Sequence, residues 1–192
     1  MIISILSLIS GYLLGSIPSA LIMSRLRKGI DIRKVGSVNM GAANIVREIG
    51  IWEGLTVGIA DIGKGALAVI IPILLGIDEP WIMAAGFCVI LGHKYPVFAH
   101  FNGGKGSATI IGIFLVLSPL AIVLSLIIIA IPLFTNRNFA FAITVGFTLL
   151  PLFIWLLDGR LLTVLYSVII DLFMAISNMG YLIESWKKIS RR

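Results

Sequence analysis

The chain has 192 residues, of which 59% are hydrophobic and 12% charged, with a mean hydropathy of +1.09 and a formal net charge of +6. Such a composition leaves too little polar surface to cover a water-soluble globule. The 15 Lys and Arg outnumber the 9 Asp and Glu, but they flank apolar runs and build no basic-aromatic surface, which argues against a nucleic-acid partner and for topology signals and anion ligands.

The fold class expected is therefore all-α: a polytopic integral membrane protein, with residues 1–192 as a single membrane-embedded domain. Its first apolar run, Ile2 to Met23, precedes the basic residues Arg25, Arg27, Lys28, Arg33 and Lys34. That order is the reverse of a cleavable signal peptide, and it predicts a retained spanning helix with its N-terminus outside. From Arg25 to Glu48 the chain is polar, basic and rich in Gly and Asn, as expected of a folded cytoplasmic loop. A second span is predicted from Gly54 to Ile77, turning at Asp78-Glu79-Pro80 on the outer face, and a third from Trp81 to about Phe98. Cys88, the single cysteine, lies in this third apolar run, so there is no internal disulfide and the residue reads as packing.

Beyond the glycine cluster 103–106, Ser107 to Phe134 would make a helix of about 42 Å, against about 30 Å of hydrocarbon. Ser118-Pro119 falls near its middle, where proline removes a backbone donor. Charge decides between one crossing and two. Two crossings put Thr135 to Asn138 inside, Asp158-Gly159-Arg160 outside and the basic tail Lys187, Lys188, Arg191 and Arg192 inside, whereas one crossing strands that tail outside. About seven transmembrane helices are expected, N-terminus out and C-terminus in, with six as the rival count.

Two polar segments carry the chemistry. Gly36 to Arg47 combines flexible backbone with small polar side chains: the N–H groups around Ser37, Asn39, Gly41 and Asn44 can approach an anion closely while Arg47 clamps it. The plainer alternative is a helix start capped by Ser37 or Asn39, with Arg47 on lipid headgroups. The second segment runs from Gly92-His93 through Gly103, Gly104, Lys105 and Gly106, just before an apolar helix whose free N–H groups and dipole favour an anion beside Lys105. It is no Walker nucleotide loop, because Gly106 follows Lys105 where Ser or Thr is required.

Asp61 and Lys64, one helical turn apart in an apolar span, can pair on one face; such a pair either marks a functional interior or neutralises itself near the headgroups. His93 and His100 are candidate bases without zinc-site spacing. Ser37, Ser107 and Thr109 are candidate nucleophiles, yet none sits in a nucleophile elbow. No metal cluster is visible, and neither metal nor cofactor is expected.

Gly15-Ser16-Ile17-Pro18-Ser19, the segment Gly36 to Arg47, Asp61-Ile62-Gly63-Lys64-Gly65, and Gly92-His93 through Gly106 resemble, in this order, the bacterial acyl-phosphate:glycerol-3-phosphate acyltransferases. The match covers roughly the first 110 residues. The resemblance implies a seven-helix enzyme of the cell inner membrane, active on its cytoplasmic side, that moves a fatty acyl group from acyl phosphate to the 1-hydroxyl of sn-glycerol 3-phosphate. The products would be lysophosphatidic acid and phosphate, an opening step of phospholipid synthesis. It further implies that Ser37, Arg47, Lys105 and the glycines beside it bind phosphate, that His93 and Asn44 line the site, and that the substrate phosphate helps remove the proton. Acyl phosphate, glycerol 3-phosphate and membrane lipids would be its partners, with the oligomeric state open and a monomer allowed.

The carboxyl-terminal part departs from the family pattern His-x-x-Asn-Ile-x-Arg-Leu. Ala175 stands for the His and Tyr181 for the Arg, while Asn178 and Leu182 remain; in the preceding loop a family-like Thr-Arg-Tyr appears as Thr135-Asn136-Arg137-Asn138, its arginine kept but displaced. A catalytically weak paralogue and an organic-phosphate carrier are the competing readings, although a carrier is expected to show a midplane site and inverted repeats.

Overall fold

The computed structural model describes residues 1–136, 139–180 and 183. Arg137, Tyr181 and the basic tail with Lys187, Lys188, Arg191 and Arg192 lie outside the described residues. All regular structure among those described is helical: α1 (Ile2–Ser16), α2 (Ser19–Lys28), α3 (Ala42–Glu48), α4 (Ile51–Leu74), α5 (Glu79–Lys94), α6 (Ser107–Leu117), α7 (Pro119–Asn136), α8 (Phe139–Asp158) and α9 (Leu161–Ser177). They fall into two compact units, Met1–Val116 and Leu117–Arg192.

Four apolar helical stretches are long enough to cross a bilayer: Ile2–Lys28, Ile51–Leu74, Glu79–Ala99 and Phe141–Asp158. Three shorter apolar helices, Ser107–Leu117, Pro119–Ile131 and Leu161–Ser177, accompany them. Large side chains such as Ile5, Leu6, Ile9, Ile59, Leu67 and Leu74 point outward, which is the solvation that hydrocarbon, and not water, rewards.

Proline sets two of the helix boundaries. The first apolar run is not one continuous helix: Ile17 is extended (φ −63°, ψ 113°), because Pro18 has no N–H to give the helix and its ring disfavours helical geometry at the residue before it. Pro119 likewise ends α6 and begins α7, as expected from Ser118-Pro119. The polar segment from Arg25 is less of a loop than its composition suggests. Here α2 continues to Lys28 and stops at Gly29 in the left-handed region (φ 65°), a 3₁₀ turn covers Ile32–Lys34, and α3 occupies Ala42–Glu48. Asp78 begins α5, with Glu79 and Pro80 in the first turn, where a carboxylate and a missing N–H cost least.

In the first unit, backbone lies directly on backbone. α1 packs chiefly on α5, and a Cβ on Gly15 would strike the Val89 carbonyl while one on Gly92 would strike that of Tyr12. α4 meets α6 in the same way, Gly65 against the Thr109 carbonyl and Gly112 against that of Ile62. Where lipid replaces water, dispersion contact at this range holds helices together, and only small residues permit it. In the second unit α8 packs between α7 and α9 around Ala121, Ile122, Leu150, Ile154 and Ile170. The Ser118 hydroxyl donates to the Asp158 carboxylate, tying the start of α7 to the end of α8.

Gly112→Val drives a branched side chain into the Ile62 carbonyl and should cost about 1 to 3 kcal/mol of stability. Gly63 has nothing within 4 Å of an added Cβ, so Gly63→Ala should leave stability unchanged or slightly raised. Unfolding temperatures of the two variants in detergent check the contrast.

Candidate functional site

The site is built on the break in the first span. With Pro18 interrupting the helix, the carbonyls of Gly15 and Ile17 have no complete set of intrahelical partners, and Lys64 of α4 donates to both, at 3.2 and 3.3 Å. Its ammonium also pairs with Asp61 Oδ1 at 2.9 Å. Ser19, the first residue of α2, donates to the same carboxylate oxygen at 3.1 Å. Lys64 is 6% exposed and Asp61 2%. At such burial an ion pair holds only when its remaining polar sites are satisfied, and these are. The sequence reading of a pair on one helical face is what the structure shows.

His93, in the last turn of α5, brings its Nδ1 to 3.8 Å from Asp61 Oδ1 and is 7% exposed. The opposite edge of its ring abuts Gly104: a Cβ there would collide with His93 Nε2, and would lie 2.7 Å from the Met40 carbonyl. Gly104 N–H in turn donates to the His93 carbonyl at 3.1 Å. The two polar segments singled out in the sequence therefore meet at Gly104, through Met40 on one side and Gly103 to Gly106 on the other. Ser19, Met40, Asp61, Lys64, His93 and Gly104 share a cavity of about 10 Å³, about the size of one water.

The first segment is organised by Asn44. Its Oδ1 accepts from the Ser37 N–H at 3.0 Å, and its Nδ2 faces the carbonyls of Val35 and Asn39 at 3.1 Å and of Ile32 at 3.3 Å. Asn44 is thus a buried strut of the loop, its amide spent on backbone. Two residues of this loop take the left-handed conformation, Gly36 (φ 60°) and Val38 (φ 58°). The strain of a β-branched residue there is held by the surrounding hydrogen bonds. Ser37 and Arg47 are exposed, Asn39 and Gly41 half-buried; Ser37 caps no helix here, and α3 begins after Gly41 without a side-chain cap.

In the second segment Gly103 and Lys105 are half-buried, Gly104 and Gly106 buried, and Gly106 (φ 89°) makes the turn into α6. His100 and Phe101 also take positive φ, 56° and 57°. Ser107 lies in the first turn of α6, and Thr109 is buried. Asn178 belongs to the second unit, at the end of α9, where its Nδ2 donates to the Met174 carbonyl at 3.0 Å; Ala175 is exposed on that helix. Among the described residues no group of three or more His, Cys, Asp or Glu could hold a metal.

Sequence reasoning passed over a second brace. Arg33 pairs with Asp31 at 2.6 Å and donates to the Ala99 carbonyl at 3.0 Å, strapping the first polar segment to the turn after α5. The Arg33 guanidinium holds the Asp31 carboxyl down at about 2. The clue in the sequence was Asp31 itself, the one acid between Arg25 and Arg47. Ser19 and the Met40 carbonyl were also missed, the latter because a backbone group leaves no mark in a sequence.

The sequence model described as glycerol-3-phosphate acyltransferase matches residues 5–187. Among curated relatives, glycerol-3-phosphate acyltransferase 1 of Dehalococcoides mccartyi is 38% identical over 178 residues, covering 89% of this chain and 85% of the relative. The Geotalea daltonii glycerol-3-phosphate acyltransferase is 39% identical, covering 86% and 85%. The crystal structure of PlsY (YgiH), an integral membrane glycerol 3-phosphate acyltransferase in its glycerol 3-phosphate form, superposes with a TM-score of 0.85 at 30% identity, covering 94% of this chain and 92% of that one. Its lysophosphatidic acid form gives 0.82.

Asn44→Ala leaves several buried backbone groups unpaired and should cost about 2 to 3 kcal/mol, measurable as a lowered unfolding temperature. Asp31 contributes stability above the ordinary carboxylate value of 3.8 that is lost as pH falls through about 2. The gap in unfolding temperature between wild type and Asp31→Asn should therefore be full at pH 5 and close as pH is lowered toward 2.

Proposed function

The chain belongs to the glycerol-3-phosphate acyltransferase family, and we propose that it transfers a fatty acyl group from acyl phosphate to the 1-hydroxyl of sn-glycerol 3-phosphate, on the cytoplasmic side of the cell membrane. In this reading the two units act as one membrane-embedded domain with seven crossings, N-terminus out and C-terminus in. The membrane placement and the acyltransferase activity are those of the family; the donor, the sidedness and the residue roles are the proposal.

The convergence of the two polar segments on Gly104, beside a buried His93 and a satisfied Asp61–Lys64 pair, is the observation that carries it. Phosphate chemistry needs N–H groups and cations close together on backbone that can be approached. Exposed Ser37 and Arg47, Lys105 and the glycines 103–106 at the start of α6 offer that combination. Asn39 and Gly41 contribute backbone of the same loop, Asn44 holds it in shape, and Asp61 and Lys64 support it from beneath.

In the reaction the acceptor hydroxyl oxygen attacks the acyl carbonyl carbon, the bond from that carbon to the phosphate oxygen breaks, and an ester forms. The hydroxyl proton leaves with the departing phosphate. Acyl phosphate is an activated mixed anhydride with a good leaving group, so no side-chain nucleophile is required and the work of the protein is placement. This accounts for a site rich in anion ligands and poor in triad-like arrangements.

The test is the release of phosphate from palmitoyl phosphate by the purified protein in detergent, with and without sn-glycerol 3-phosphate. Release that depends on the acceptor and matches the lysophosphatidic acid formed supports the proposal; equal use of a fatty acyl thioester in place of palmitoyl phosphate defeats the donor assignment. In the same assay Lys105→Ala should raise the KM for a phosphate-bearing substrate by about ten- to a hundredfold, the loss of a charged contact worth about 1.5 to 3 kcal/mol. Ser37→Ala should raise it severalfold, and near-wild-type kinetics in both variants would refute the assignment.

A further inference from the structure

Asp61 is placed to do more than neutralise Lys64. Its Oδ1 gathers Ser19 Oγ at 3.1 Å, Lys64 Nζ at 2.9 Å and His93 Nδ1 at 3.8 Å, so one carboxylate oxygen connects α2, α4 and α5. His93 Nδ1 is buried without a hydrogen-bond partner, and 3.8 Å is too long for a direct bond. Both groups line the cavity of about 10 Å³, and one water there would reach both, the usual arrangement for a polar pair at this distance. A ring with Nδ1–H directed at the carboxylate side keeps its Nε2 edge against Gly104, where the Met40 carbonyl also lies.

We propose that Asp61 is a positioning residue for phosphate binding: acting through one bound water on His93 Nδ1, it fixes the imidazole against Gly104 and so sets where the glycine segment 103–106 meets the segment carrying Ser37 and Arg47. The inference rests on the acyltransferase reading above and assigns within it a residue that touches neither substrate. An ion pair present only to neutralise charge and an ion pair that orients His93 differ in one respect. Removing both charges together, with no acceptor left at position 61, strands no buried ion but still leaves His93 unheld.

The experiment compares wild type, Asp61→Leu/Lys64→Met, Ser19→Ala, His93→Gln, and each of the first two variants combined with His93→Gln, by unfolding temperature and by kinetics with palmitoyl phosphate and glycerol 3-phosphate. The double variant, which leaves the Gly15 and Ile17 carbonyls without the Lys64 donor, should unfold below wild type but stay folded at the assay temperature, with a KM for glycerol 3-phosphate raised about tenfold and kcat changed much less. Ser19→Ala, which changes no charge and keeps the pair, should raise that KM about threefold, and neither effect should multiply with that of His93→Gln. A wild-type KM in Asp61→Leu/Lys64→Met, or effects that multiply fully with His93→Gln, overturns the positioning role while leaving the enzyme assignment intact. If the double variant does not fold, Ser19→Ala and its combination with His93→Gln decide by the same criteria. A folded wild type that acylates no glycerol 3-phosphate overturns both.

Discussion

A lysine ammonium among apolar helices has to be answered completely, and the form of that answer at Lys64 shapes the first unit. Its three partners are the Asp61 carboxylate and the carbonyls of Gly15 and Ile17. A carbonyl is left short of helical donors where its own helix is interrupted, so the break at Pro18 offers the charge on α4 its acceptors. To bring the broken helix within reach, α1 must lie close against its neighbours, which the glycine contacts with α5 permit. Once α1 and α5 touch at Gly15 and Gly92, His93 is carried toward Asp61 and the glycine segment is carried over His93. Each step follows from geometry that the previous one imposes.

The first polar segment is pinned in a related way. A loop of the kind proposed to bind phosphate must present N–H groups to a ligand while satisfying every other backbone group it buries. Asn44 supplies the internal bonds for the first segment and Arg33 its anchorage to Ala99. The left-handed conformation of Val38 shows that this loop is held in one shape against local preference, which the proposed anion-binding surface would require.

Much of this was legible in the sequence because the bilayer imposes coarse rules. Runs of apolar residues, Ser118-Pro119, and Asp78-Glu79-Pro80 before α5 announced helix boundaries through hydropathy and missing donors. Asp61 and Lys64 announced themselves by charge in an apolar run, and the spaced motifs up to Gly106 brought the family into view. Pro18 was seen within a motif without being recognised as the break beside which the carbonyls of Gly15 and Ile17 receive Lys64. Asn44 was read as lining the site, whereas its amide is consumed by the loop, since side-chain chemistry alone does not reveal which way an amide points. The helix α3 was hidden in a segment whose Gly and Asn content reads as loop, and it owes its stability to burial of Ile45 against Ala20, Leu21, Ile32 and Val57, a tertiary override of weak local preference.

The order of these partners along the chain also bears on how the protein is made. Asp61 and Lys64 lie three residues apart on one helix, so the cation enters the bilayer already accompanied by a counter-ion and the translocon handles a near-neutral segment. Gly15 precedes Lys64 by 49 residues, so its carbonyl is in the membrane before the ammonium that it will accept from arrives. The nascent first span can thus serve as a template on which the charged helix docks, and the assembly of this half of the protein needs no stage at which a bare charge waits in lipid.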